Sequence, residues 1–341
     1  MKLSILIKAY NEEGNISRAL ESCLAEITDI DAEIVLADSC STDKTVEIAK
    51  NFPVRIVQFE NSSERSCGAG AQLAYQHSRG EYIYLLDGDM MLRRGFLRQA
   101  IAYLENNPDV VGVGGLVNEV FADNLEFENR RQRERDIYQS GDVVKLDCGG
   151  LYRRASIDDL GYFTDRNLHS YEELDLGSRI LAEGGKLHRL DIVSVDHFHH
   201  SIGSYELLWR RLKSKYACGA GEILRGALFR PHFSLVLGGL RILPIFVLLS
   251  AWLVLSIVLT AERQWLTDAI LVLLSFVLMS WRRKSISAGV FSVISWFVYS
   301  AGIVRGLLRD RIDPRLPIAS RIVWDETIVP KGAGLRTSGA A

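Results

Sequence analysis

The residues best suited to chemistry in this chain are carboxylates placed at the ends of apolar runs. Leu85-Leu86-Asp87-Gly88-Asp89 puts two of them two positions apart where a hydrophobic strand stops. An Asp-x-Asp pair of this kind offers hard oxygen ligands to one divalent cation, and such a cation can bridge to a diphosphate. Gly88 lets the backbone come close to a ligand. Asp38 follows a second apolar run and opens Asp38-Ser39-Cys40-Ser41-Thr42-Asp43. Ser41 or Thr42 in that segment can cap a helix, and Asp43 complements its dipole. That leaves Asp38 to accept a hydrogen bond from a nucleotide base. Further along, Ser170-Tyr171-Glu172-Glu173 reads as a helix start. Ser170 and Glu173 fit a capping box. The functional reading is a general base at the mouth of a site, because activating a hydroxyl requires a carboxylate within hydrogen-bond reach. Finally, Asp196-His197-Phe198-His199-His200 closes a strand. With no Cys or Glu nearby for a separate zinc site, a histidine completing the Asp89 site is the better reading.

The elements that must carry these groups alternate. Leu3–Lys8, Glu33–Ala37, Val54–Phe59 and Tyr82–Leu86 read as strands. Asn11–Glu26, with Asn11 as N-cap, about Thr42 to Asn51, and Cys67–Ser78 read as helices. This spacing predicts βαβ units and a mostly parallel α/β sheet. Ligands bind beyond the carboxyl ends of such strands, where Asp38, Asp87 and Asp89 stand. Leu187–Val195 is a later strand, and Leu125–Tyr138 reads as a charged helix in which four arginines mix with four acidic residues.

After Pro231 the chain changes character. No charged residue occurs from Ile242 to Thr260, from Ala269 to Trp281 or from Ser285 to Val304. A spanning helix needs about 20 mostly apolar residues, so two or three membrane helices are expected. Leu207–Leu224 is basic and amphipathic, fit either to lie on an anionic membrane surface or to pack on the domain. If all three apolar segments span, the arginines from Arg305 to Arg321 end outside, against the positive-inside rule. A re-entrant third segment would keep them inside, and both topologies stay open.

The chain has 341 residues, 48% of them hydrophobic and 24% charged, which excludes disorder and coiled coil as its main character. Residues 1–230 hold 28 basic and 36 acidic side chains, a net −8; the remainder is net +6. An acidic first part argues against nucleic acid as a partner. Five cysteines without a CxxC argue against a disulfide framework and for a reducing compartment. The opening apolar run, Leu3–Ile7, is too short for a signal-peptide core, so this part is expected in the cytoplasm.

Taken in order, these landmarks resemble family 2 of the inverting glycosyltransferases, which have the GT-A fold. Ile5 to Glu13 looks like the family's first strand and loop, and Asp38 to Asp43 like its second. Gly80 to Asp89 resembles its metal motif. Cys148 to Arg154, Gly161 to Phe163 and Glu172 to Arg179 resemble its acceptor half. The resemblance implies that Asp38 contacts the nucleotide base, Asp87 the ribose, and Asp89 an Mg²⁺ or Mn²⁺ ion on the diphosphate, with His197 or His199 beside it. Ala9 and Glu12 would lie on the nucleotide loop, and Arg65 and Gly68 near the donor. The family's base is the Asp of a Glu-Asp pair, which falls here on Glu173, with Glu172 as the alternative.

The resulting expectation is a membrane-anchored, metal-dependent inverting glycosyltransferase, with its catalytic domain on the cytoplasmic face of the inner membrane. Its donor would be a nucleoside diphosphate sugar. Its acceptor would be a lipid-linked or free saccharide in envelope or exopolysaccharide synthesis. Residues 1–204 would form the GT-A domain, 205–230 an interface helix, 231–304 the membrane helices and 305–341 a basic tail with a mobile end. A processive synthase is disfavoured because Leu207-Leu208-Trp209-Arg210-Arg211 stands where that class carries Gln-x-x-Arg-Trp. The retained carboxylates disfavour a non-catalytic scaffold.

Overall fold

The apolar runs become the centre of one ten-stranded sheet. The computed structural model of the chain describes residues 1–120, 139–147, 149–198 and 202–326. The expected charged helix Leu125–Tyr138, Cys148, His199 and the chain end from 327 lie outside the described residues. Strands β1 (Leu3–Ala9), β2 (Ala32–Asp38), β3 (Arg55–Phe59) and β4 (Tyr82–Asp87) run parallel in the order β3-β2-β1-β4. Both faces of these strands are covered, which is why they read as unbroken apolar runs. Beyond β4 the sheet is mixed. β8 (Gly150–Arg153) is antiparallel to both β4 and β6 (Val110–Val120), and β6 is parallel to β9 (Lys186–Phe198). The short β5 (Met90–Leu92) and β7 (Gly141–Asp142) each pair antiparallel to β9.

Helix α1 (Ile16–Glu26) buries Ile16, Ala19, Leu20 and Cys23, a three-four spacing that puts one face on the sheet. It starts later than the sequence suggested. Asn11 is not its cap but a loop residue at φ 56°, and its Oδ1 accepts from the backbone N–H of Thr42 at 2.8 Å. The next helix, α2 (Thr45–Ala49), is also shorter than expected, and it is Asp43 that accepts from the Thr45 N–H at its start. Helices α3 (Cys67–Gln76), α4 (Phe96–Asn106), α5 (Arg154–Leu160) and α6 (Glu172–Ala182) complete the α/β part. The four described cysteines, Cys23, Cys40, Cys67 and Cys218, are all unbridged.

Helices α7 (Ser204–Lys213), α8 (Gly219–Ala227) and α9 (Phe233–Gly239) then lead to three longer ones. These are α10 (Leu243–Ala261), α11 (Trp265–Arg283) and α12 (Ile286–Leu308), each long and apolar enough to cross a membrane. An apolar cluster containing Leu168, Leu174, Ile223, Val236, Leu240 and Ile303 joins them to the α/β part. Within it α12 approaches α8 and the turn before it, Tyr216–Cys218, closely. A Cβ on Gly302 would stand 2.2 Å from the Ala217 carbonyl oxygen, and one on Gly306 would stand 2.2 Å from that of Cys218. Two glycines four apart thus form a flat strip along which backbones touch.

Past Leu308 the chain returns to the sheet. Arg311 bonds Asp165 at 2.6 Å, and β10 (Ser320–Asp325) pairs antiparallel with β3. Arg55 fastens the far end through Asp325 at 2.9 Å. The segment read as a basic tail therefore supplies an edge strand. Residues 320–325 pair with residues 55–59, so any membrane crossings made by α10, α11 and α12 would have to sum to an even number.

Candidate active site

The carboxyl ends of the parallel strands converge as the βα pattern requires. Lys8 of β1 is in register with Asp87 of β4 on one side, and Ala9 with Asp38 of β2 on the other. Gly88 turns the chain from β4 toward β5 tightly against β1. Its N–H donates to the Lys8 carbonyl at 3.0 Å, and a Cβ there would stand 3.1 Å from Cβ of Ala9. The Asp87-Gly88-Asp89 turn is thereby pinned to the first loop.

Asp38 is fully buried. Its Oδ2 accepts from the Ser41 N–H at 2.9 Å and from Gln58 Nε2 at 2.7 Å. Its Oδ1 is buried without a hydrogen-bond partner among the described residues. Ser41 and Thr42, expected as caps, instead tie this loop to the one after β1: Ser41 Oγ accepts from the Asn11 N–H at 2.8 Å.

Asp89 and His197 meet because β5 and β9 pair. Met90 is in register with His197, and the Phe198 N–H donates to the Asp89 carbonyl at 3.0 Å. His197 Nε2 lies 3.4 Å from Asp89 Oδ2. On the other side its Nδ1 lies 2.8 Å from Glu119, its register partner on β6. Burial alone would lower the His197 pKa, but the Asp89 and Glu119 carboxylates reverse this and raise it to about 10. Among the described residues no group of three or more His, Cys, Asp or Glu side chains gathers around a single point.

Helix α6 brings its first-turn carboxylates to the same place. Its start departs from the capping box: Tyr171 is the N-cap in the left-handed region at φ 68°, and no side chain caps the helix. Ser170 Oγ instead donates to the Tyr216 carbonyl at 2.9 Å. Glu172 is buried and paired with Lys8, 2.6 Å from Nζ to Oε1; the same Nζ lies 3.2 Å from Asp87 Oδ1. Glu173 lines the cleft. Burial, then repulsion from Glu172, raises its pKa to about 7, with Lys8 and Lys145 limiting the rise. A carboxylate poised near neutral pH suits proton abstraction.

One cleft of about 980 Å³ joins these groups. Of the residues singled out in the sequence, Ala9, Glu12, Arg65, Asp87, Asp89, Glu172, Glu173 and His197 line it. Arg65 is held over the Tyr10 ring, 4.5 Å from its centroid. Asp38 stands behind the lining. Gly68 is not brought in: a Cβ there would meet the Asp165 carbonyl oxygen at 2.1 Å, so its role is close packing under the loop before α6. Sequence reading passed over Lys8, although a lysine ending an apolar strand between two aspartate-tipped neighbours was a usable signal. It also passed over Glu119, Gln58 and Lys145, which act through partners distant in sequence.

Comparison with known proteins bears on this arrangement. The family model described as glycosyl transferase family 2 matches residues 4–161. EpsE of Bacillus subtilis (strain 168) is 30% identical over 198 residues, covering 54% of this chain and 68% of EpsE. The chain belongs to glycosyltransferase family 2. Another relative of the family is the poly(ribitol-phosphate) beta-N-acetylglucosaminyltransferase TarS of Staphylococcus aureus (strain Mu50 / ATCC 700699). It is 25% identical over 186 residues, or 51% of this chain and 31% of TarS. The succinoglycan biosynthesis protein ExoO of Rhizobium meliloti (strain 1021) is 27% identical over 151 residues, or 42% of this chain and 39% of ExoO. The chain thus spans less than half the length of these last two. The crystal structure of S. aureus TarS 1-349 superposes with a TM-score of 0.50 at 17% identity, covering 90% of this chain and 89% of that one. This likeness establishes the GT-A fold. The stretch matched by the family model includes Asp38, Asp87 and Asp89 and stops before Glu172, Glu173 and His197.

Proposed function

We propose that this family 2 glycosyltransferase is a membrane-anchored, inverting enzyme that moves a sugar from a nucleoside diphosphate donor to a lipid-linked saccharide. The observation that carries the reading is the cleft that Asp87, Asp89 and Glu173 all line and that runs on to Gly239, Ile242 and Tyr299 at the apolar helices. Asp38 would hold the base through its buried, unpartnered Oδ1, and Asp87 the ribose. Ala9, Glu12 and Arg65 would form the wall of the nucleotide pocket.

Asp89 and His197 would hold Mg²⁺ or Mn²⁺. Their Nε2 and Oδ2 lie 3.4 Å apart, with Glu119 holding the ring's other nitrogen, and an imidazole and a carboxylate are donors that would suit such an ion. When bound, the ion stabilises charge on the departing diphosphate. Glu173 takes the proton from the acceptor hydroxyl as that oxygen attacks the anomeric carbon from the face opposite the leaving group. Glu172 pairs with Lys8 and ties the start of α6 to the end of β1. In this reading residues 1–204, with the returning strand 320–325, are the transferase domain, 205–230 the interface segment and 231–304 the membrane part, on the inner membrane with the site facing the cytoplasm. The names of TarS and ExoO support a place in envelope or exopolysaccharide synthesis.

A thermal-shift screen of nucleoside diphosphate sugars with Mn²⁺ tests the donor class. At least one should raise Tm in wild-type protein and fail to do so when Asp38 is replaced by Ala. If no nucleotide sugar shifts either protein, the reading fails.

A further inference from the structure

The membrane-side end of the cleft is cationic. Arg210, Arg211, Lys213 and Lys215, from the end of α7 and the turn after it, all line it. No carboxylate pairs with Arg210, Lys213 or Lys215 among the described residues. Glu222, on α8 beside them, is already engaged by Arg309 at 3.0 Å and by His169 at 3.0 Å. Arg211 is held in place from two sides. Its guanidinium donates to the Tyr299 hydroxyl of α12 at 2.8 Å and lies over the Tyr216 ring at 4.9 Å. Burial, then the charges of Arg309 and Arg305, pushes the Lys215 ammonium below its ordinary pKa. Arg210, Lys213 and Lys215 gather without a paired carboxylate among the described residues, a like-charge cluster that an anion would stabilise, and guanidinium and ammonium groups together suit phosphoryl oxygens.

The neighbours of this wall are apolar. The same cleft reaches Gly239 and Ile242 where the chain enters α10. Trp209 stands on α7 between the cleft-lining Leu207 and Arg210, and it is 57% exposed. An anion bound here would sit at the junction of a polar site and a hydrocarbon-facing surface, where a lipid headgroup lies.

We infer that Arg210, Arg211, Lys213 and Lys215 bind the phosphate or diphosphate of a membrane-borne lipid acceptor, so that its sugar reaches Glu173 while its chain lies along the apolar helices. This rests on the glycosyl-transfer reading above and extends it to the part of the acceptor that does not react. The wall contributes binding and position only, and no bond is made or broken there.

The test uses the full chain in phosphatidylcholine nanodiscs with farnesyl diphosphate, farnesol and inorganic pyrophosphate as calorimetric probes. Farnesyl diphosphate should bind more tightly than either of the others. The combined R210Q/K213Q/K215Q variant, which leaves the packed Arg211 in place, should weaken farnesyl diphosphate binding by about tenfold or more. Farnesol binding should not change. Nucleoside diphosphate binding, measured on the same samples, reports an intact fold and donor site. Equal affinity of wild type and variant for farnesyl diphosphate would overturn the inference, as would its failure to bind. Pyrophosphate binding as tightly as farnesyl diphosphate would mark a soluble-phosphate site and overturn the lipid assignment. If the variant loses only its partition to phosphatidylglycerol vesicles, the wall is a general membrane-surface patch and the inference falls. Wild type that binds farnesyl diphosphate but no nucleoside diphosphate would sink the glycosyl-transfer reading and leave the wall standing.

Discussion

Lys8 Nζ and Glu172 Oε1 lie 2.6 Å apart, joining the end of β1 to the start of α6 across the cleft. Both side chains are largely buried. This pair separates two adjacent carboxylates chemically: Glu172 has a cation in contact, while Glu173 has a raised pKa and an open side toward the cleft. Glu173→Gln is therefore expected to lower kcat by about 10²–10⁴-fold with little change in donor affinity. Glu172→Gln should instead lower stability by about 1–3 kcal/mol, as Lys8 loses a buried partner. Parallel kinetics and denaturant unfolding on the two variants check this, and a Glu172→Gln enzyme that is dead but fully stable would exchange their roles.

The raised pKa of Glu173 fixes the pH dependence. A base must be unprotonated to act, so kcat should be low below pH 6 and climb with pH through about 7. A pH–rate profile over that range is the measurement. The ascending limb should vanish in Glu173→Gln; a wild-type rate that is flat across neutral pH would count against the assignment.

How far the sequence foretold this site depends on where each residue's partners lie. The four parallel strands were legible because strands covered on both faces are continuously apolar, and their ends located Asp38, Asp87 and Asp89. Helix starts were less legible. Asn11 and Ser170 have the composition of caps, yet tertiary hydrogen bonds to the Thr42 N–H and the Tyr216 carbonyl draw them elsewhere. The strand Ser320–Asp325 was read as tail because an edge strand carries polar residues, and its partner, Arg55–Phe59, lies far back in the sequence. Glu119 could not be found at all without the β6–β9 register that sets it beside His197.

That edge strand makes a topological prediction. Asp313→Cys, in an otherwise cysteine-free chain, should be shielded from an impermeant thiol reagent in intact cells, as should Glu105→Cys in the catalytic domain. Both should label after permeabilisation. Labelling of Asp313→Cys alone in intact cells would mean an odd number of crossings and would contradict the pairing of β10 with β3.

The contact of α12 with the turn before α8 should be intolerant of bulk. Gly302→Leu places a side chain where the Ala217 carbonyl stands, and it should destabilise the protein by about 1–3 kcal/mol. Gly238→Ala, with nothing within 4 Å of the added Cβ, is the control and should be nearly neutral. Thermal unfolding in detergent would show the difference, and equal midpoints would refute the close packing.

The central claim is that Asp89 and Glu173 serve one transfer reaction from a nucleoside diphosphate sugar. The most direct measurement is release of nucleoside diphosphate by the full chain in nanodiscs containing bacterial lipid extract. It would be run with Mn²⁺ and the donor found by thermal shift. Wild type should turn over and stop when EDTA is added, and Asp89→Ala and Glu173→Gln should each fall by about 10²-fold or more. Turnover that persists undiminished in EDTA and in both variants would contradict the account.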